Sequence, residues 1–116
     1  LKRNVQANEQ SEPVRYQIGN INFDYDLRKI SCQDSSQVLS PKEAELLKLL
    51  SEYLNQVMPR DEALLKIWKE DNYFTGRSMD VYITKLRKYL AEDPKVKITN
   101  LHGRGFCLSV EAALEN

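Results

Sequence analysis

The hydrophobic pattern of this chain changes period partway along, and that change constrains the fold more than any other feature. Between residues 15 and 39 the apolar residues alternate. Ile21, Phe23 and Tyr25 are separated by Asn22 and Asp24, and Ile30 and Cys32 resume the alternation. A period of two belongs to half-buried strands. Asp26-Leu27-Arg28 can turn between them, Asp34-Ser35-Ser36 is a turn cluster, and Val38-Leu39 can form a last short strand. The expectation here is a small antiparallel sheet.

At Ser40 the period becomes helical. Ser40-Pro41-Lys42-Glu43 reads as a capping box with proline at the first helical position, and Leu46, Leu47, Leu50, Tyr53 and Leu54 follow at helical spacing. A second helix is expected after Pro59, with Ala63, Leu64, Ile67 and Trp68 facing inward. Asp71-Asn72 and Gly76 punctuate the loop beyond it. The third helix is expected over residues 77–91, ending before Asp93-Pro94. Residues 97–99 and 106–108 form the arms of a hairpin around His102-Gly103-Arg104-Gly105, a turn whose glycines can take positive φ. Sheet, three helices and hairpin, in that order, make an α+β winged-helix arrangement.

A chain of 116 residues with 41% hydrophobic content suits one domain. No apolar run reaches the ~20 residues a membrane span needs, and no leader opens the sequence, so a soluble, cytoplasmic protein is expected. Residues 1–13 read as a polar linker remnant, residues 14–111 as the domain and residues 112–116 as a tail; opening on such a linker, the chain resembles a fragment of something longer. Cys32 and Cys107 stand far apart without CxxC or histidine-rich company. Reduced thiols are the plainer reading, a structural disulfide the alternative. With one histidine the chain offers no common zinc set, and no cofactor is implied. Formal charge is zero, but residues 77–107 hold 7 basic and 3 acidic groups, and a local basic segment says more about nucleic acid than the net value does.

On a helical wheel, residues 77–91 divide into two faces. Met79, Ile83, Leu86 and Leu90 form an apolar stripe flanked by Tyr82 and Tyr89. Arg77, Val81, Thr84, Lys85 and Lys88 lie opposite, with Arg87 and Asp80 together on one shoulder. Such a polar face suits a major groove, which admits one helix: Arg and Lys donate to guanine or phosphate, the Thr84 hydroxyl donates or accepts, and Val81 can meet a thymine methyl. The bland reading is a solvated face whose late basic residues complement the helix dipole. The hairpin favours the first reading, because Arg104 at its tip is shaped for a minor groove. His102 can donate to phosphate or stay idle. Trp68 is either core or, through its indole N–H, a phosphate contact. Tyr73 and Phe74 either pack or face a protein partner.

The run from Gly76 to Lys88 (GRSMDVYITKLRK) resembles the recognition helix of OmpR/PhoB-type effector domains of bacterial two-component response regulators. The resemblance extends to Ser40-Pro41-Lys42-Glu43-Ala44-Glu45-Leu46-Leu47, to Val57-Met58-Pro59-Arg60 through Ile67-Trp68, and to Asn100-Leu101-His102-Gly103-Arg104-Gly105-Phe106. Each segment alone is moderately specific; the four in order over residues 15–110 are strong together. The resemblance implies a winged helix-turn-helix with an N-terminal four-stranded antiparallel sheet, three helices and a C-terminal hairpin wing, and sequence-specific binding of promoter DNA as a dimer on direct repeats. It also implies a receiver domain upstream and a loop touching RNA polymerase, which falls on Lys69, Glu70, Asp71, Asn72, Tyr73, Phe74, Thr75 and Gly76. DNA contacts fall on Arg77, Ser78, Thr84, Lys85, Arg87 and Lys88, wing contacts on Asn100, His102 and Arg104, and backbone contacts on Trp68 and Phe106. Thr84 and His102 are neutral where relatives often carry Arg, Phe106 stands where Tyr is commoner, and Pro59 replaces a Ser-type helix cap. Weaker non-specific binding than in a typical relative is expected, with a capping cost of roughly 1 kcal/mol unless backbone or water compensates.

Two other classes compete. A winged helix can use the same face for protein alone. An enzyme would need a catalytic set, yet Asp24, Asp26, Glu43, Glu45, Asp61 and Glu62 sit on turns or helix starts, where they serve the helix dipole. None pairs with a nucleophile, and no Gly-rich phosphate loop is present.

Overall fold

The computed structural model describes residues 14–111; the expected linker (1–13) and tail (112–116) lie outside the described residues. The alternating segment folds as a four-stranded antiparallel meander of β1 (Arg15–Ile18), β2 (Ile21–Asp24), β3 (Lys29–Cys32) and β4 (Ser35–Val38), paired in sequence order. Ile18, Ile21, Phe23, Ile30 and Cys32 point into the core. The expected turn at Asp34-Ser35-Ser36 is shorter than read: Ser35 and Ser36 already pair with Cys32 and Ser31. Serines on an exposed edge strand need only backbone partners, so their turn propensity does not decide their conformation.

Helix α1 (Pro41–Glu52) starts on the predicted capping box, with the Ser40 hydroxyl accepting from the Glu43 N–H (3.3 Å) and the Glu43 carboxylate accepting from the Ser40 N–H (2.8 Å). Leu46, Leu47 and Leu50 are buried, whereas Tyr53 and Leu54 lie past the helix end and are half-buried. Next comes a strand absent from the sequence reading, β5 (Val57–Pro59). Three residues show no alternation, and this strand exists only by pairing with β7. Helix α2 (Arg60–Ala63) continues as a single π-helical turn (Leu64–Trp68) that stops at Lys69 in the left-handed region (φ 67°). Ala63 and Leu64 are buried as expected; Ile67 and Trp68 are half-buried.

Helix α3 runs Tyr73–Leu90, four residues longer at its N-terminus than expected. Asn72 and Thr75 form a reciprocal cap at 2.9 and 3.0 Å, a signal present in the sequence. The apolar stripe begins only at Met79, so periodicity hides the first turn. Met79, Ile83, Leu86 and Leu90 are buried and Tyr82 and Tyr89 half-buried. The chain closes with β6 (Val96–Leu101) and β7 (Gly105–Val110), which form a second sheet in the order β5-β7-β6. Cys32 and Cys107 are free thiols. No helix among the described residues is long and apolar enough to cross a membrane.

Candidate nucleic-acid interface

Burial of the α3 stripe leaves Arg77, Ser78, Val81, Thr84, Lys85 and Lys88 exposed on the other side of one helix. Six of the expected DNA-contacting residues are thus brought into one row. Arg77 donates from Nη1 to the Tyr73 hydroxyl (2.8 Å) and lies over that ring, while Lys85 lies over the Tyr82 ring. The Thr84 hydroxyl donates to the Asp80 carbonyl (3.1 Å). Arg87 and Asp80, read as shoulder neighbours, have separate partners. Arg87 donates from Nε to the Ile98 carbonyl (3.0 Å), and Asp80 pairs with Arg60 (3.1 Å).

The tip of the wing is a tight turn closed by the Arg104 N–H donating to the Leu101 carbonyl (2.8 Å). Gly103 and Gly105 take positive φ, as their place in the turn requires. Asn100, His102 and Arg104 are exposed. Phe106 is the correction: it is only 2% exposed, so its ring offers a DNA backbone no surface and serves the core. Gly105 is buried as well, its backbone lying against Met58 where β5 pairs with β7. Trp68 is half-buried, with Lys42 over its ring and Tyr82 tilted against it at 5.7 Å.

Wing and helix are joined by contacts that the sequence does not announce. Arg60 donates to the Gly76 carbonyl (3.2 Å) as well as to Asp80, and lies over the Phe106 ring. Its own N–H donates to the Arg104 carbonyl (3.0 Å). Gly76 is buried in the first turn of α3, and a Cβ there would stand 2.9 Å from the Arg60 guanidinium. Together with Arg87–Ile98, these bonds hold the wing beside the exposed row of α3. No local pattern announces a pair twenty residues apart in sequence.

The segment expected to touch a polymerase is only partly a loop. Tyr73, Phe74, Thr75 and Gly76 form the first turn of α3, which leaves Lys69, Glu70, Asp71 and Asn72 as the connection. Tyr73 and Phe74 are 67% and 76% exposed and meet edge to face at 5.5 Å. Among the described residues no group of three or more His, Cys, Asp and Glu side chains is gathered where a metal could be held.

A four-stranded antiparallel sheet, three helices and a hairpin wing define a winged helix-turn-helix of the OmpR/PhoB effector type. The chain belongs to the family described as the C-terminal domain of transcriptional regulatory proteins, whose model matches residues 34–108. Among curated proteins it is similar to the transcriptional regulatory protein RprY of Bacteroides fragilis, 45% identical over 93% of this chain and 46% of that protein. The chain thus spans about half the length of that relative. Among solved structures it resembles the DNA-binding domain of Escherichia coli CadC, with a TM-score of 0.71 and 26% identity over 85% of this chain and 94% of that one. It shares its fold with the DNA-binding domain of E. coli CpxR, with a TM-score of 0.74 and 21% identity over 85% of this chain and 99% of that one.

Proposed function

We propose that this domain binds double-stranded DNA sequence-specifically and regulates transcription as the effector half of a two-component response regulator. In this reading α3 enters the major groove and the wing meets the adjacent minor groove. The observation that carries it is the row Arg77, Ser78, Val81, Thr84, Lys85 and Lys88, exposed opposite a buried stripe and flanked by a wing tip bearing His102 and Arg104. Arg and Lys supply donors for base edges and phosphates, and an Arg on a narrow hairpin suits the negative potential of a minor groove. The names of RprY and the CadC domain support the same reading.

Within it, residues 14–111 act as the DNA-binding unit. Residues 1–13 tether a receiver domain, and two copies bind direct repeats of a promoter. The exposed Tyr73–Phe74 pair, with the connection from Lys69 to Asn72, supplies the contact to RNA polymerase. Arg87 contributes through the part of its guanidinium not engaged by Ile98, and Trp68 through its exposed edge; Phe106 is left out.

The test is fluorescence anisotropy of a labelled mixed-sequence duplex across a salt series, beside a variant with Arg77, Lys85 and Lys88 changed to Ala. Log affinity should fall with log salt at about −0.9 per neutralised phosphate, with ~3–5 phosphates per protomer and a shallower slope in the variant. No binding at low salt would sink the proposal and turn attention to protein partners for the same face.

A further inference from the structure

The exposed row of α3 is apolar at its centre. Val81 is 54% exposed, between Arg77 one turn before it and Lys85 one turn after. A β-branched residue there lowers helix propensity and lies outside the core, so the fold gains nothing from it. Three residues on, the Thr84 hydroxyl donates to the Asp80 carbonyl one turn back (3.1 Å). A threonine hydroxyl has one proton. With that proton used inside the helix, Oγ1 faces a ligand as an acceptor only, and the Thr84 side chain neighbours Val81 at i, i+3 spacing. The centre of the row therefore offers methyl groups and a lone pair, while donors stand on either side at Arg77, Ser78, Lys85 and Lys88.

Major-groove edges differ in what they ask of such a surface. Guanine presents two acceptors and needs a donor. Cytosine N4 and adenine N6 each present an amino donor that an acceptor can meet, and only an A·T pair adds a methyl group, at thymine C5, so the methyl is what separates A·T from G·C on this surface. We propose that Val81 and Thr84 make the centre of α3 a reader of A·T pairs, with a thymine methyl packed on Val81 and an adenine amino group donating to Thr84 Oγ1. The inference rests on α3 entering the major groove. Guanine and phosphate contacts are left to the flanking cations.

The experiment selects bound duplexes from a randomised pool, then measures affinity for the selected site carrying single base analogues. Replacing the relevant thymine by deoxyuridine removes one methyl and should weaken binding about fourfold, the worth of one methyl withdrawn from water. The variant Val81→Ala should lose most of that sensitivity. Replacing the neighbouring adenine by purine, which lacks the amino group, should cost about fivefold, the worth of one ordinary hydrogen bond. Thr84→Val should be indifferent to that change, while Thr84→Ser should keep the sensitivity. All three substitutions lie on an exposed helix face, so thermal melts should match the parent. A selected site with G·C pairs facing these residues, or analogue costs unchanged in the variants, overturns the proposal and leaves DNA binding standing. Failure to enrich any sequence, with no binding at low salt, overturns both.

Discussion

At the scale of single residues, the two wing glycines look alike in sequence and differ in what they do. Gly103 (φ 77°) has open space where a Cβ would stand, while at Gly105 (φ 155°) a Cβ would lie 1.9 Å from the Met58 carbonyl oxygen. The first is a conformational requirement of the turn; the second is a close approach of two strands. Gly103→Ala should therefore cost about 1 kcal/mol of backbone strain. Gly105→Ala should cost about 3 kcal/mol or more, because β5 and β7 must part. Urea unfolding reads both, and similar midpoints for the two variants would contradict the distinction. Arg60 makes the same point about legibility. It follows a proline at a helix start, and nothing local says that its guanidinium will meet Gly76, Asp80 and the Phe106 ring.

At the scale of elements, α2 shows how a local weakness is met from outside. Pro59 stands at the cap position without a side-chain hydrogen bond, the feature expected to cost stability. The first N–H of the helix, on Arg60, donates instead to the Arg104 carbonyl (3.0 Å), and the Glu62 N–H donates to the Asp61 carboxylate (2.8 Å). The wing thus takes over part of the capping. Pro59→Ser should accordingly stabilise the domain by less than about 0.5 kcal/mol, since two of the first donors, on Arg60 and Glu62, already have partners and the unfolded chain gains freedom. A rise of about 1 kcal/mol in the free energy of unfolding would show that these donors are unsatisfied. The early start of α3 has the opposite character: its cap was readable at Asn72 and Thr75, but Tyr73 and Phe74 are exposed and add nothing to the apolar stripe.

At the scale of the whole molecule, one buried carboxylate ties the N-terminal sheet to the root of the wing. Asp93, 3% exposed, accepts from the Asn20 N–H (2.8 Å) in the β1–β2 turn and from the Lys95 N–H (3.0 Å) just before β6. Gly19 leaves room for it, since a Cβ there would stand 2.5 Å from the carboxylate. The bond from Asn20, and then that from Lys95, hold the carboxyl below its ordinary value, against the upward push of burial. The folded state therefore binds this proton more weakly than the unfolded chain. Its contribution is complete above the ordinary aspartate value and is lost as pH falls through the depressed one. Asp93→Asn should be less stable by about 1–2 kcal/mol at pH 7, with the deficit shrinking as pH drops below ~4. Paired urea titrations across that range check it; a deficit constant with pH would mean that the charge is not what matters.

The sequence by itself determined the order and kind of nearly all the elements, the α1 cap, the buried stripe of α3 and the polar row opposite it. These are properties of period and capping, set by residues a few positions apart. Tertiary structure decided which faces meet: β5 pairing with β7, Phe106 turning inward beneath Arg60, Arg87 reaching Ile98, and Asp93 reaching Asn20. Those contacts depend on elements brought together from far along the chain, where alternation says that a side chain changes face but not what waits on the other side. The wing and α3 are each legible alone. Their placement side by side, which the proposed reading of DNA needs, comes from packing.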